Sequence, residues 1–184
     1  MQTLFITTLV LSLWLAQPGT IALQPQDAGQ RAREIAATFD KTKHKIKERH
    51  GVRKEKFIEI RSEPAVRADA REYAGTYEAD AEYPLSIRVG ANNRVEGEGF
   101  EPAPAQTRRK FTLRDARIEG ALLTGTKVYT DGATETLEAV FINRTERRSP
   151  TESGTTAFGL GIRFDPPKAG DGFVLSRLFY QRKP

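Results

Sequence analysis

The chain has 184 residues, 29 Lys and Arg against 24 Asp and Glu, a formal net charge of +5, and no cysteine. That length is one ordinary domain with room for an appendage. The missing cysteines exclude a disulfide framework, a thiol-anchored lipoprotein, a thiol enzyme and any Cys-ligated metal, so stability has to come from a packed core.

At the N-terminus, Leu4 to Ala16 is an unbroken apolar and hydroxyl run, followed by Gln17-Pro18-Gly19 and Thr20-Ile21-Ala22. An apolar stretch of about 7–15 residues, a helix breaker and small residues before the cut predict a secretory signal peptide over residues 1–22. Pro18 and Gly19 stop the run short of the roughly 20 apolar residues of a membrane span. No Lys or Arg stands near Met1, which keeps a retained anchor open as the alternative. The expected location is secreted or periplasmic, and a cysteine-free chain suits a bacterial envelope better than a eukaryotic extracellular space.

Residues 23–56 read as a basic helical arm. Arg31, Arg33, Lys41, Lys43, Lys45, Lys47, Arg49, Arg53, Lys54 and Lys56 outnumber Asp27, Glu34, Asp40, Glu48 and Glu55 two to one, and the rest of the chain balances. Ala28, Ala32, Ile35, Ala36, Phe39 and Ile46 fall at helical spacings, which predicts one amphipathic helix over 27–50. Asp27 with Gln30 resembles a capping box, and Arg49-His50-Gly51 suits a helix C-terminus. The apolar stripe thins after Phe39, so the first half should dock while Lys41, Lys43, Lys45 and Lys47 project as a candidate site for an anionic surface. A solvated helix face is the plainer alternative.

From Phe57 the pattern changes to a period of two, predicting an all-β domain over 57–184. Candidate strands are 57–61, 74–79, 85–89, 94–99, 110–117, 121–130, 134–144, 157–164 and 173–182. Asp131-Gly132 has the composition of a type I′ turn, and Glu119-Gly120 and Gly90-Ala91-Asn92-Asn93 mark two further hairpins. Short connections dictate sequential antiparallel pairing. Eight or nine strands so joined curl into an up-and-down barrel or split into a sandwich, and the barrel is the expectation. Glycines within strands, Gly97, Gly99, Gly125, Gly159 and Gly161, fit sharp bends at barrel corners or bulges.

The segment Tyr73-Ala74-Gly75-Thr76-Tyr77-Glu78, after a short helical turn, resembles the opening of lipocalin-like, calycin-type barrels, where a Gly-x-Trp on the first strand is covered by an Arg from the last. Gly75 and Tyr77 take the first two places, with Tyr for Trp, and Arg177 or Arg182 the third. The same pattern is similar to the lipocalin-like accessory domains of β-lactamase-related serine hydrolases. The resemblance implies a fold and no activity, since no Ser-x-x-Lys or Gly-x-Ser-x-Gly occurs in the chain.

Candidates for chemistry are few. His44 and His50, six apart on a predicted helix, point about 120° away from each other and form no metal pair. Glu96 and Glu98 share a strand face, as the carboxylates of a glycosidase could, but read as an outward polar face. Asp115 shares parity with Phe111 and Leu113, and Arg177 with Phe173, Leu175 and Phe179. A charge on an apolar face requires a partner or a ligand, so Tyr77, Asp115 and Arg177 are the expected barrel-closing or ligand-binding residues. The sequon at Asn143 lies in a predicted strand and reads as chance. No catalytic set, metal site or cofactor is implied, and nothing specifies a nucleic-acid partner. The leading expectation is an exported, non-enzymatic barrel binding a small apolar or amphipathic ligand or an envelope component. The alternative is a solid interaction module that docks an acidic protein or anionic membrane through its basic helix.

Overall fold

The computed structural model describes residues 27–79, 82–104, 107–170 and 173–184; the expected leader lies outside them. In chain order the elements are α1 (Ala28–Ala37), β1 (Lys41–Arg49), β2 (Val52–Pro64), β3 (Gly75–Ala79), β4 (Tyr83–Val89), β5 (Arg94–Pro102), β6 (Arg108–Glu119), β7 (Leu122–Tyr129), β8 (Thr134–Arg147), β9 (Thr155–Gly170) and β10 (Phe173–Arg182). Strands β3 to β10 close into an eight-stranded antiparallel barrel, because β10 pairs with β3 and β9 pairs back with β8. β8 is long enough to serve two neighbours on one side. Its first half pairs with β7, from Val128↔Thr134 to Leu122↔Val140, and its second half pairs with β2, from Pro64↔Ile142 to Glu59↔Arg147.

All nine predicted strands are present, but the helix is shorter than its pattern suggested. It ends at Ala37, and residues 41–49 are strand. The reason is visible in the alternation Lys41-Thr42-Lys43-His44-Lys45-Ile46-Lys47, a period of two with β-branched Thr42 and Ile46 and no stripe that could dock a helix. β1 and β2 form a hairpin whose turn residues His50 (φ 54) and Gly51 (φ 70) are both left-handed, the signature of a type I′ turn and not of a helix end. The basic arm is therefore a helix followed by a two-stranded ribbon. At Asp131-Gly132, where the sequence predicts a type I′ turn, Gly132 has φ 82 while Asp131 is not left-handed. There the Asp131 carboxylate accepts from Ala133 N at 3.0 Å, and Tyr129 N bonds Ala133 O at 2.9 Å.

α1 packs on the outside of the barrel. On β8, Phe141 points inward while Val140 and Ile142 point outward, and all three are fully buried, because the helix covers the outer wall. Ile35 and Phe39 from the helical segment fill that contact, each contributing about 1.5–3 kcal/mol. The absence of a side chain at Gly161 makes room for Phe39, whose ring carbons would lie 2.8 Å from an added methyl. Arg31 adds a two-pronged contact to Glu138, Nε–Oε1 2.6 Å and Nη2–Oε2 2.5 Å, half in solvent and worth at most about 1 kcal/mol.

One end of the barrel is aromatic. Tyr73 stacks on Phe141 with centroids 4.1 Å apart, and Phe158 and Tyr77 complete the cluster. The Tyr73 hydroxyl donates to Ala65 O (2.8 Å) and lies 3.0 Å from Gly120 O, and Tyr77 donates to Tyr73 O (2.5 Å). Arg182 seals this end. It pairs in register with Tyr77, donates to Glu72 O (2.8 Å) and Ala74 O (3.0 Å), and sits where a side chain on Gly75 would be, its Nε 3.2 Å from that point. Gly75, Tyr77 and the last-strand Arg182 thus reproduce the expected lipocalin-like closure, and the architecture is that of a calycin-type barrel with two extra strands.

Candidate functional site

The opposite end is polar. Register places Glu101 of β5, Lys127 and Tyr129 of β7 and Glu135 of β8 on the inward face, in line with Gly99, Gly125 and Leu137, and contacts with both carboxylates bring Lys168 of β9 to them. Lys127 and Glu101 are buried, a costly placement for charges that only close pairing offsets. The Lys127 ammonium donates to Glu101 at 2.8 Å and lies 3.3 Å from Glu135. Lys168 reaches Glu101 at 2.5 Å and Glu135 at 2.7 Å. The Tyr129 hydroxyl lies 2.8 Å from Glu101 and 2.5 Å from Glu135, so its one proton is shared between two carboxylates. Two ammoniums and two carboxylates balance. Phe164 lies under both ammoniums, 4.9 Å from Lys127 and 4.5 Å from Lys168.

The electrostatics follow from this geometry. Burial first, and then the two carboxylates, hold the Tyr129 phenol well above its ordinary range. Desolvation pulls Lys127 down against the opposing pull of Glu101. Burial alone would raise Glu135, but hydrogen bonds from Lys168 and Tyr129 and the charge of Lys127 outweigh it, and its carboxyl falls below the usual value. Above the network lies a cleft of about 350 Å³ lined by Glu101, Pro102, Ala103, Arg109, Glu135, Lys168 and Leu175 among others. Lys168 and Glu135 keep 28% and 31% of their side-chain surface exposed, so the network is reachable from solvent on this side. Arg109 lies 3.7 Å above the Tyr129 ring and pairs with Asp131 at 2.6 Å.

The expected trio of Tyr77, Asp115 and Arg177 does not assemble. Tyr77 is buried at the aromatic end, beside Arg182. Asp115 is exposed, with φ 52, and its ion-pair partner is Arg114 at 3.7 Å. Arg177 is exposed and donates to Thr38 O, just beyond α1. On β6 the parity argument fails because a bulge between Arg114 and Arg117 inserts one residue more than β7 supplies; on β10 it fails because buried Tyr180, in register with Leu160, marks the inward parity and leaves Arg177 on the outer face with Phe179. The extra residue on β6 flips the face, so Ala116 follows Leu113 inward; the irregularity beside Arg177 lies on β9, where Arg163 to Lys168 takes five steps against two on β10. Glu96 and Glu98 line an outer groove with Ser86, Arg88 and Thr112, and Glu98 pairs with Lys110 at 2.9 Å. His44 lies on β1 and bonds Glu55 at 2.5 Å, while His50 forms the ribbon turn. Lys41, Lys43, Lys45 and Lys47 are exposed on β1. Among the described residues no group of three or more His, Asp or Glu converges as a metal site.

Parity could have found the buried part of the network. Lys127 alternates with Leu123, Gly125 and Tyr129, whereas Lys168 lies beyond the irregularity on β9, through which no alternation runs. The polar end stayed hidden because the predicted strands 94–99 and 157–164 stop short of it, whereas β5 runs on to Pro102 and β9 to Gly170. Comparison of the chain with protein-family models, with curated proteins and with solved structures returned no match.

Proposed function

We propose that the protein is an exported, non-enzymatic β-barrel that binds a small amphipathic ligand at its polar mouth. The observation that carries this reading is the cleft beside Leu175 whose floor is the Glu101–Lys127–Glu135–Lys168 network. Below that floor the interior is occupied by Phe111, Phe164, Leu123, Leu137 and Tyr180, so a ligand has the mouth and not the barrel axis as its seat. Apolar contact with Leu175, Pro102 and Ala103 and hydrogen bonding to Lys168 and Glu135 suit a molecule with one greasy and one polar end. Each carboxylate at the site already accepts from a lysine and from Tyr129, an arrangement better suited to holding a ligand than to taking a proton from one. Export is supported by the leader read from the sequence.

The test is native mass spectrometry of protein purified from its own envelope. A retained mass that disappears in Leu175→Arg, with unchanged thermal stability, is the expected result. A bare chain mass, with no amide shift at Lys168 or Leu175 on adding an envelope extract, would sink the reading.

A further inference from the structure

The ribbon carries a pattern independent of the mouth. In an antiparallel pair, facing residues share one side of the sheet and alternate along each strand. The register Lys41↔Ile60, Lys43↔Ile58, Lys45↔Lys56, Lys47↔Lys54 and Arg49↔Val52 puts Lys41, Lys43, Lys45, Lys47, Arg49, Lys54 and Lys56 on one side. No acid stands among them. The intervening pairs, Thr42↔Glu59, His44↔Phe57, Ile46↔Glu55 and Glu48↔Arg53, send the three acids within the β1–β2 ladder to the reverse side. There His44 bonds Glu55 and packs edge-on against Phe57 at 5.8 Å.

This segregation acts against the fold. Lys45 faces Lys56 and Lys47 faces Lys54, and like charges directly opposite destabilise a hairpin. A ribbon whose only task was to stay soluble would be better served by alternating signs. The β2–β8 pairing stops at Glu59↔Arg147, so the ribbon from Lys43 and Ile58 to the turn extends about 20 Å past the last pair it makes with the barrel. Neighbouring cations are about 7 Å apart along a strand and about 5 Å across, less than the Debye length of about 8 Å at physiological ionic strength, so their potentials add.

We infer that this side of the ribbon docks on an anionic phospholipid bilayer. Six of the seven cations are lysines, point charges suited to phosphate without the forked geometry that reads guanine or clasps a carboxylate. The cationic side has no aromatic ring on which a base could stack, since Phe57 belongs to the reverse side. It also lacks the buried aromatic anchor expected of a protein–protein hot spot. What it offers is a row of ammoniums with Val52 exposed near the turn, complementary to a surface of phosphates.

The experiment is co-sedimentation of the full chain with vesicles of phosphatidylcholine alone or with about one third phosphatidylglycerol. An apolar leader would partition into both, so the difference between the two isolates charge. The wild type should prefer the anionic vesicles and lose that preference between about 0.05 and 0.5 M salt. Replacing Lys43, Lys45, Lys47 and Lys54 by Gln should lower partitioning several-hundredfold, at about fivefold per lysine, and replacing them by Arg should preserve it. Arg53→Gln, on the reverse side, should change it less than about twofold. Equal binding to both vesicles, or equal losses from the two sides, would overturn the inference. So would tighter binding of a DNA duplex than of anionic vesicles at the same salt, which would make the ribbon a groove reader.

Discussion

Lys127 is the residue on which the polar end depends. Its ammonium is fully buried between Glu101, Glu135 and the face of Phe164. Removing one member of such a set leaves the others desolvated without full compensation. Lys127→Met should cost about 3 kcal/mol, at the low end of the usual range because Lys168 and Tyr129 still serve Glu101. Combining it with Glu101→Leu should recover most of that loss, since Lys168 and Glu135 then remain as a pair. Urea unfolding midpoints of the two single variants and the double would measure the coupling. The same network sets an acid limit. Glu135 has its carboxyl depressed in the folded state, so its contribution is present above the unfolded value of 4.5 and is lost as pH falls through the lower folded value. Glu135→Gln should flatten the acid limb of a stability–pH curve; an unchanged limb would assign it to other carboxylates.

Among the elements, the β1–β2 ribbon and α1 were joined in one helical reading, and they behave oppositely. α1 was legible because Ala28, Ala32, Ile35 and Ala36 mark the face that meets the barrel, and it buries Ala32, Ile35 and Ala36. The ribbon was not, because its period of two is carried by lysines, and a search for apolar periodicity passes over it. The strands show the same limit. Leu85-x-Ile87-x-Val89 could be read directly, but the face of Asp115 depends on a bulge that leaves no mark in the alternation upstream of it, and that of Arg177 on which of two partly apolar faces of β10 turns inward. Past Glu59 the ribbon has only its own ladder, and an isolated two-stranded hairpin is marginal in water. Replacing residues 44–57 by Asn-Gly, a type I′ turn joining Lys43 to Ile58 in the existing register, should shift the thermal midpoint by no more than about 2 °C. A fall of many degrees would mean that the ribbon leans on the barrel.

At the scale of the whole molecule, closure ties two chemically different ends together. Buried phenols stand at both, with Tyr73 and Tyr77 at the aromatic end and Tyr129 and Tyr180 toward the polar mouth. Burial is the leading cause that raises each of the four, pushing Tyr77 to about 12. An acid whose folded value is raised contributes stability in full below its unfolded value near 10 and loses it as pH climbs toward the folded one. Phenolate absorbance should therefore show these four tyrosines ionising in one step with alkaline unfolding. Smooth ionisation of two or more of them while the far-ultraviolet spectrum stays native would place them in wetter surroundings. The barrel itself was legible from turn chemistry and alternation; its filled interior was not, because the size of side chains in sequence does not say how far eight strands are drawn together. Gly99 shows how close that is: an added methyl would fall 2.9 Å from Leu85 Cδ1 and 3.0 Å from the Phe111 ring.

Among the described residues the ring leaves none of its strands without two neighbours, whereas β1 is bonded to β2 alone. Its outer row of amide and carbonyl groups is an open template on which another chain could add a strand, and lysine is the residue type that most often guards such a border. The charges that would draw the ribbon to a bilayer thus also keep copies of the protein apart in water. Once phosphate neutralises them, that guard is lifted where the local concentration of the protein is highest, and ribbon-to-ribbon assembly on the surface becomes possible only there.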